Sequence, residues 1–183
     1  MTADRLVDAI IARLTWTLGD IRLPRKDGTE GKLKFFPQYM PQPRGLTVTP
    51  KGTGPILPPA SPSDAPVDVE SCFPCVVARF DEGRDEEEGH GATLADVTLV
   101  VGTFDDAPDL QGWRDVMDII HAVRHELLAL PGRVLDGRYR LEMPLKWGLA
   151  DEQPWPLWIG QIETKWETGR PQMPPRNDEA RRR

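Results

Sequence analysis

Three groups of residues in this chain have types and spacings that chemistry uses. Asp151 and Glu152 are adjacent acids heading the stretch "DEQPWPLWIGQIETKW". Cys72 and Cys75 form a C-x-x-C, and His121 and His125 stand four apart with Asp118 three residues before the first. Converging carboxylates divide acid and base roles, a C-x-x-C serves redox chemistry or zinc, and histidines one helical turn apart can hold a metal. Each group falls short of its chemistry. Neighbouring residues on an extended chain point to opposite sides, so Asp151 and Glu152 do not form a dyad. A reactive thiol pair sits at a helix N-terminus, whereas "ESCFPCVVARF" runs into a β-type segment. Zinc would need two further ligands, which three scattered histidines do not supply. The helix histidines lie on a polar face and lack the H-E-x-x-H arrangement. Phosphate-cradling loops and a G-x-S-x-G elbow are missing as well. The expectation is therefore a protein that is not an enzyme, with reduced cysteines and no catalytic, cofactor-binding or metal-binding residue. A hydrolase or nuclease built on Asp151, Glu152 and nearby acids stays as an alternative.

The elements that would position these residues follow from periodicity. Residues 3 to 18, "ADRLVDAIIARLTWTL", place Leu6, Ile10, Leu14 and Leu18 at four-residue steps, which predicts an amphipathic helix ended by Gly19. Two short segments, "DIRLP" and "KLKFFPQYMP", follow around a turn at Asp27-Gly28. "PCVVARF" (74–80) and "LADVTLVVGTF" (94–104) read as two strands of a hairpin, the second alternating Ala95, Val97, Leu99 and Val101 against Asp96 and Thr98. Their connection, "DEGRDEEEGHG", reads as a solvated acidic loop. The clearest helix starts near Trp113 and ends at Pro131-Gly132, with Trp113, Val116, Ile120, Val123, Leu127 and Leu130 on one face. Residues 137–147 and 155–167 read as strands, the latter with Trp158, Ile162 and Trp166 on one side and Gln161, Glu163 and Lys165 on the other. Pro154 and Pro156 cannot donate ladder hydrogen bonds, so they belong before that strand or at its edge.

Two stretches resist this pattern. From residue 41 to 70 the chain is dense in proline, glycine and serine, too poor in large apolar residues to offset its ordering entropy. It reads as a long arm. Residues 171–183 are aperiodic and end in three arginines, which predicts a flexible basic-ended tail. The 19 prolines, about twice the usual share, reflect these segments. Residues 1–170 then form one α+β domain: a single mixed or antiparallel sheet of about four strands, with two helices packed on one face. The net charge of -6 argues against general affinity for nucleic acid or anionic membranes. The charged N-terminal stretch and the lack of a long apolar run fit a protein made in the cytoplasm, without a membrane span.

The run "GWRDVMDIIHAVRHELLA" together with "YRLEMPLKWGLADEQPWPLWIGQIETKWE" resembles small tailed-bacteriophage and prophage proteins of the head-to-tail junction, and "FFPQYMPQP" (35–43) resembles their first-strand region. The order of helix, sheet, long helix and two returning strands is similar to that of tail terminator and tail-completion proteins. That resemblance implies a structural virion protein: a homo-oligomer, a ring of six subunits, that caps the tail tube, stops its polymerisation and joins it to the neck. Implied partners are the major tail tube protein and a neck or head-completion protein, with genomic DNA passing through the channel without specific binding. The implied location is the virion, at the tail-neck junction. Ring interfaces favour aromatics and extended arms, so Trp155, Trp158 and Trp166, with Pro55, Ile56 and Leu57 of the arm, are candidate interface residues. The tryptophans have the core as their alternative. Asp81, Glu82, Asp85, Glu86, Glu87 and Glu88 are the candidate channel-facing acids, where like charge keeps DNA from sticking. The alternatives are another neck protein, a head-completion or stopper protein, and an intracellular adaptor using the proline-rich arm as a ligand. The 44–70 insertion and the Arg-ended tail depart from the pattern of the family.

Overall fold

The computed structural model describes residues 3–24, 29–40, 72–85 and 93–168. The arm at 41–70, the Asp27-Gly28 turn and the 171–183 tail lie outside the described residues.

Helix α1 (Ala3–Leu18) turns Leu6, Val7, Ile10, Leu14 and Leu18 into the core, as the four-residue spacing predicts. It stops at Gly19, whose N–H bonds the Thr15 carbonyl at 3.1 Å. Strands β1 (Arg22–Pro24) and β2 (Glu30–Lys32) form a small antiparallel pair of their own. Six further strands form the main sheet: β3 (Lys34–Pro37), β4 (Cys75–Asp85), β5 (Thr93–Phe104), β6 (Val134–Leu135), β7 (Tyr139–Leu149) and β8 (Leu157–Thr168). Their order is β3-β4-β5-β8-β7-β6. β3 runs parallel to β4 and every other neighbouring pair is antiparallel, so the sheet is mixed. The expected four strands are thus corrected to six. β3 falls within the short segment "KLKFFPQYMP", and β6, at two residues, is too short for a period-two pattern to register.

Helix α2 (Trp113–Leu128) buries Val116, Ile119, Ile120, Val123 and Leu127. Both helices cover one face: α1 packs over β3 and β4, and α2 over β5, β7 and β8. Beneath them the register sets Ala95 opposite Trp166, Leu99 opposite Ile162 and Val101 opposite Gly160, so one apolar row per strand meets the helices. Gly160 lets α2 come close; a Cβ there would stand 2.7 Å from Val116 Cγ1 and 2.8 Å from Ile120 Cδ1. Trp113, expected on the apolar face of α2, is instead 37% exposed; it is the first residue of the helix, and the Arg114 guanidinium lies 5.3 Å from its ring centre.

The other face of the sheet carries no helix among the described residues. Near the start of β4 it holds a small apolar cluster in which Phe73, Cys75 and Val77 are buried against Phe36, Met40, Val100, Phe104 and Leu157. Toward the Asp85 end of β4 and the Thr93 end of β5 the sheet carries ion pairs, among them Arg84 and Lys165 with Asp96.

Candidate functional site

The loop that joins β7 to β8 is closed by one side chain. Gln153 Nε2 donates to the carbonyls of Ala150 (2.7 Å) and Ile159 (2.8 Å), and its Oε1 accepts from the Ile159 N–H (2.7 Å). An amide that both gives to and takes from Ile159 mimics one residue of a neighbouring strand. Pro154 and Pro156 stand just before β8, where no ladder donor is needed. Asp151 and Glu152 sit exposed at the bend before Gln153.

Beyond this loop lies a rim of exposed apolar side chains. Trp155 is 59% exposed, and Trp147, Leu149 and Met143 on β7 are also open to solvent. β6 covers the outer edge of β7 only at Tyr139 and Arg140, so among the described residues the rest of that edge has no strand partner. Pro144 and a two-residue surplus, Glu142 and Lys146 on β7 standing opposite Lys165 and Glu163 on β8, blunt it against indiscriminate pairing. Trp147 is fixed from the helix side. The Arg124 guanidinium lies 4.1 Å over its ring, and the His121 ring meets it edge-on at 5.2 Å. Arg124 Nη1 is 3.1 Å from His121 Nδ1, and since arginine only donates, Nδ1 is the acceptor of this contact. Of the i, i+4 histidines, His121 thus holds this indole in place, while His125 is exposed and stands 4.0 Å from Glu126. Among the described residues no three His, Cys, Asp or Glu side chains are grouped to hold a metal ion.

A second exposed aromatic surface lies at the opposite end of the sheet order. Trp16 on α1 is 86% exposed, and Tyr39, just past β3, is 75% exposed. The two surfaces differ in composition and belong to different elements.

The charged face supplies the remaining candidates. Asp81 and Glu82, expected in a loop, are strand residues: β4 continues to Asp85, with a register shift between Phe80 and Glu82. Asp81 accepts from Thr98 Oγ1 and pairs with Arg79 Nε at 2.8 Å. Arg84 bridges Glu82 (3.8 Å) and Asp96 (3.6 Å), and Asp85 accepts from Thr93 Oγ1 at 2.6 Å. Each acid therefore belongs to a cross-strand network, which is how a run of acids stays in a sheet. Glu86, Glu87 and Glu88 lie outside the described residues.

The three tryptophans of "DEQPWPLWIGQIETKW" have three fates. Trp166 is completely buried; its indole N–H donates to Thr164 Oγ1 (2.8 Å), which donates to the Val97 carbonyl (2.7 Å). It is a core residue, and its interface assignment is corrected accordingly. Trp158 is half-buried, packs tightly over Gly112 and donates to the Asp105 carbonyl at 3.1 Å. Trp155 alone is presented outward. Pro55, Ile56 and Leu57 fall outside the described residues. Trp16, Tyr39 and Trp147 escaped the sequence reading, since a lone aromatic on a polar helix face or at a strand edge carries no periodic signal. No protein-family model and no curated protein matches the chain.

Proposed function

We propose that this protein is a ring-forming structural protein of a phage tail, a terminator that caps the tail tube, stops its growth and joins it to the neck. The observation that carries the reading is the pair of exposed aromatic surfaces at opposite ends of the sheet, Trp16 and Tyr39 at one end and Trp147, Leu149 and Trp155 at the other. Two unlike patches on one chain favour head-to-tail contacts, and such contacts close into rings when the rotation allows. The two helices on one face of a mixed sheet agree with the fold that the "PLKW" and "DEQPWPLWIG" motifs imply. Asp81, Glu82 and Asp85 on the second half of β4 are the acids that would suit a channel lining. In this reading the site is a contact surface and has no catalytic role.

The test is assembly. Native mass spectrometry and negative-stain imaging of the purified chain, alone and with tubes of a major tail tube protein, are expected to show six-membered rings or tubes capped at one end. A monomer that persists at high concentration and leaves tube length unchanged would overturn the reading.

A further inference from the structure

Three sulfurs meet beside the small apolar cluster at the start of β4. Cys72 and Cys75 are 4% and 2% exposed, and neither is in a disulfide. The Cys75 thiol points at a thioether, its Sγ standing 3.4 Å from Met40 Sδ. Cys72, three positions back, is near enough for the two thiols to act on each other electrostatically. Met40 is only partly buried, which gives the group a side open to solvent.

The backbone brings Met40 to this place against the direction of its strand. Lys34 pairs with Cys75 in the parallel ladder, so β3 continued in line would carry Met40 about 20 Å past Cys75. Instead the chain reverses at Gln38, where the Tyr39 N–H donates to the Pro37 carbonyl at 2.6 Å and Gln38 is held at φ 61°. A non-glycine residue in that region is strained, and such strain collects at ligand clamps.

The donor set is selective. Thiolates and thioethers suit copper(I), whereas zinc completes a tetrahedron with a further Cys, His or carboxylate. Among the described residues no His, Asp or Glu joins the two cysteines in such a group. Around them Phe36, Phe73, Val77 and Leu157 offer no oxygen or nitrogen from a side chain. Sulfurs 3.4 Å apart can share one cation at a metal–sulfur distance of about 2.3 Å, and the unbranched methionine chain lets its sulfur adjust. Support also stands behind the ligands, as metal sites require: the Gly102 backbone N–H donates to the Cys75 sulfur, and Lys34 is the nearby cation.

We propose that Cys72, Cys75 and Met40 form a copper(I) site that holds one ion per chain between two thiolates and a thioether, the two thiol protons leaving to solvent. The site makes no use of the exposed aromatic surfaces, so it stands or falls apart from ring assembly.

The experiment is an anaerobic titration of the reduced full chain against copper(I) bicinchoninate, whose visible absorbance reports the copper it keeps, with native mass spectrometry counting ions per chain. The wild type is expected to draw one copper from the chelator. Met40→Leu keeps the side-chain volume and removes the sulfur; it is expected to fold as the wild type does and to bind copper at least about tenfold more weakly. Cys72→Ser and Cys75→Ser are each expected to lose the transfer, with circular dichroism confirming the fold of each. Because protons leave on binding, the apparent affinity of the wild type is expected to rise from about pH 6 to about pH 8. Zinc(II) at equal concentration is expected to displace no copper. A folded wild type that takes no copper, or equal affinity in the wild type and Met40→Leu, would overturn the proposal. So would one copper shared between two chains, since that would make the site an intermolecular bridge.

Discussion

Cys75 and Gln153 show how far a residue's role departs from its chemical type. Cys75 belongs to a redox-type spacing, yet burial, reinforced by Cys72, pushes its thiol up from 9.0 to about 12, against the weaker pull of the Gly102 backbone N–H and Lys34. Its sulfur lies 3.4 Å from Met40 Sδ. The thiolate is the reactive form. At pH 8, modification of Cys75 by an alkylating reagent is thus expected to be at least about a hundredfold slower in the native protein than in the denatured one. Mass spectrometry of the alkylated chain reads this directly, and equal rates would refute it. The linkage has a definite sign. The unfolded thiol loses its proton near pH 9 while the folded one keeps it, so this group's contribution to stability falls as pH rises from 9 toward 12.

Among the elements, the β7–β8 return depends on a side chain that stands in for a strand. Replacing Gln153 with alanine removes three hydrogen bonds and leaves the Ile159 N–H and carbonyl without that partner. The expected cost is about 1–3 kcal/mol, read as a lower chemical-denaturation midpoint at unchanged slope. Glu at 153, which keeps one acceptor but sets a carboxylate oxygen against the Ala150 and Ile159 carbonyls, is expected to recover none of the loss at neutral pH. Nothing in "DEQP" alone announces this role, because it needs the backbone of Ile159, six residues on, to be visible. The helices and the strands at 93–104 and 157–168 were legible because each buries one regular row of apolar residues. The second half of β4 was hidden because its acids are held by Arg79 and Arg84 two positions away on the same strand and by Thr93 and Thr98 on β5, and a run of acids does not display such pairing.

At the scale of the molecule, the two aromatic surfaces make a prediction about symmetry. Trp147→Glu and Trp16→Glu each place a charge on one exposed surface and leave the buried core untouched. Either variant alone is expected to fold with a near-unchanged midpoint and to weaken self-association by about tenfold or more, as loss of a central aromatic does at interfaces. Mixed in equal amounts, they are expected to form heterodimers that grow no further, since each supplies the face the other lacks. A contact made by the same patch on both copies would give no such rescue, and analytical ultracentrifugation of the mixture distinguishes the two.

The six tryptophans also have an optical consequence. Trp166 is sealed in the core, Trp158 is half-buried, and Trp16, Trp113, Trp147 and Trp155 remain in contact with solvent. Emission from the isolated chain is therefore dominated by water-relaxed, red-shifted indoles that acrylamide quenches readily, over a minor blue component that it does not reach. Formation of contacts through Trp16 and Trp147 shifts that balance to the blue and lowers quenching, so the unlabelled protein reports its own assembly in a cuvette.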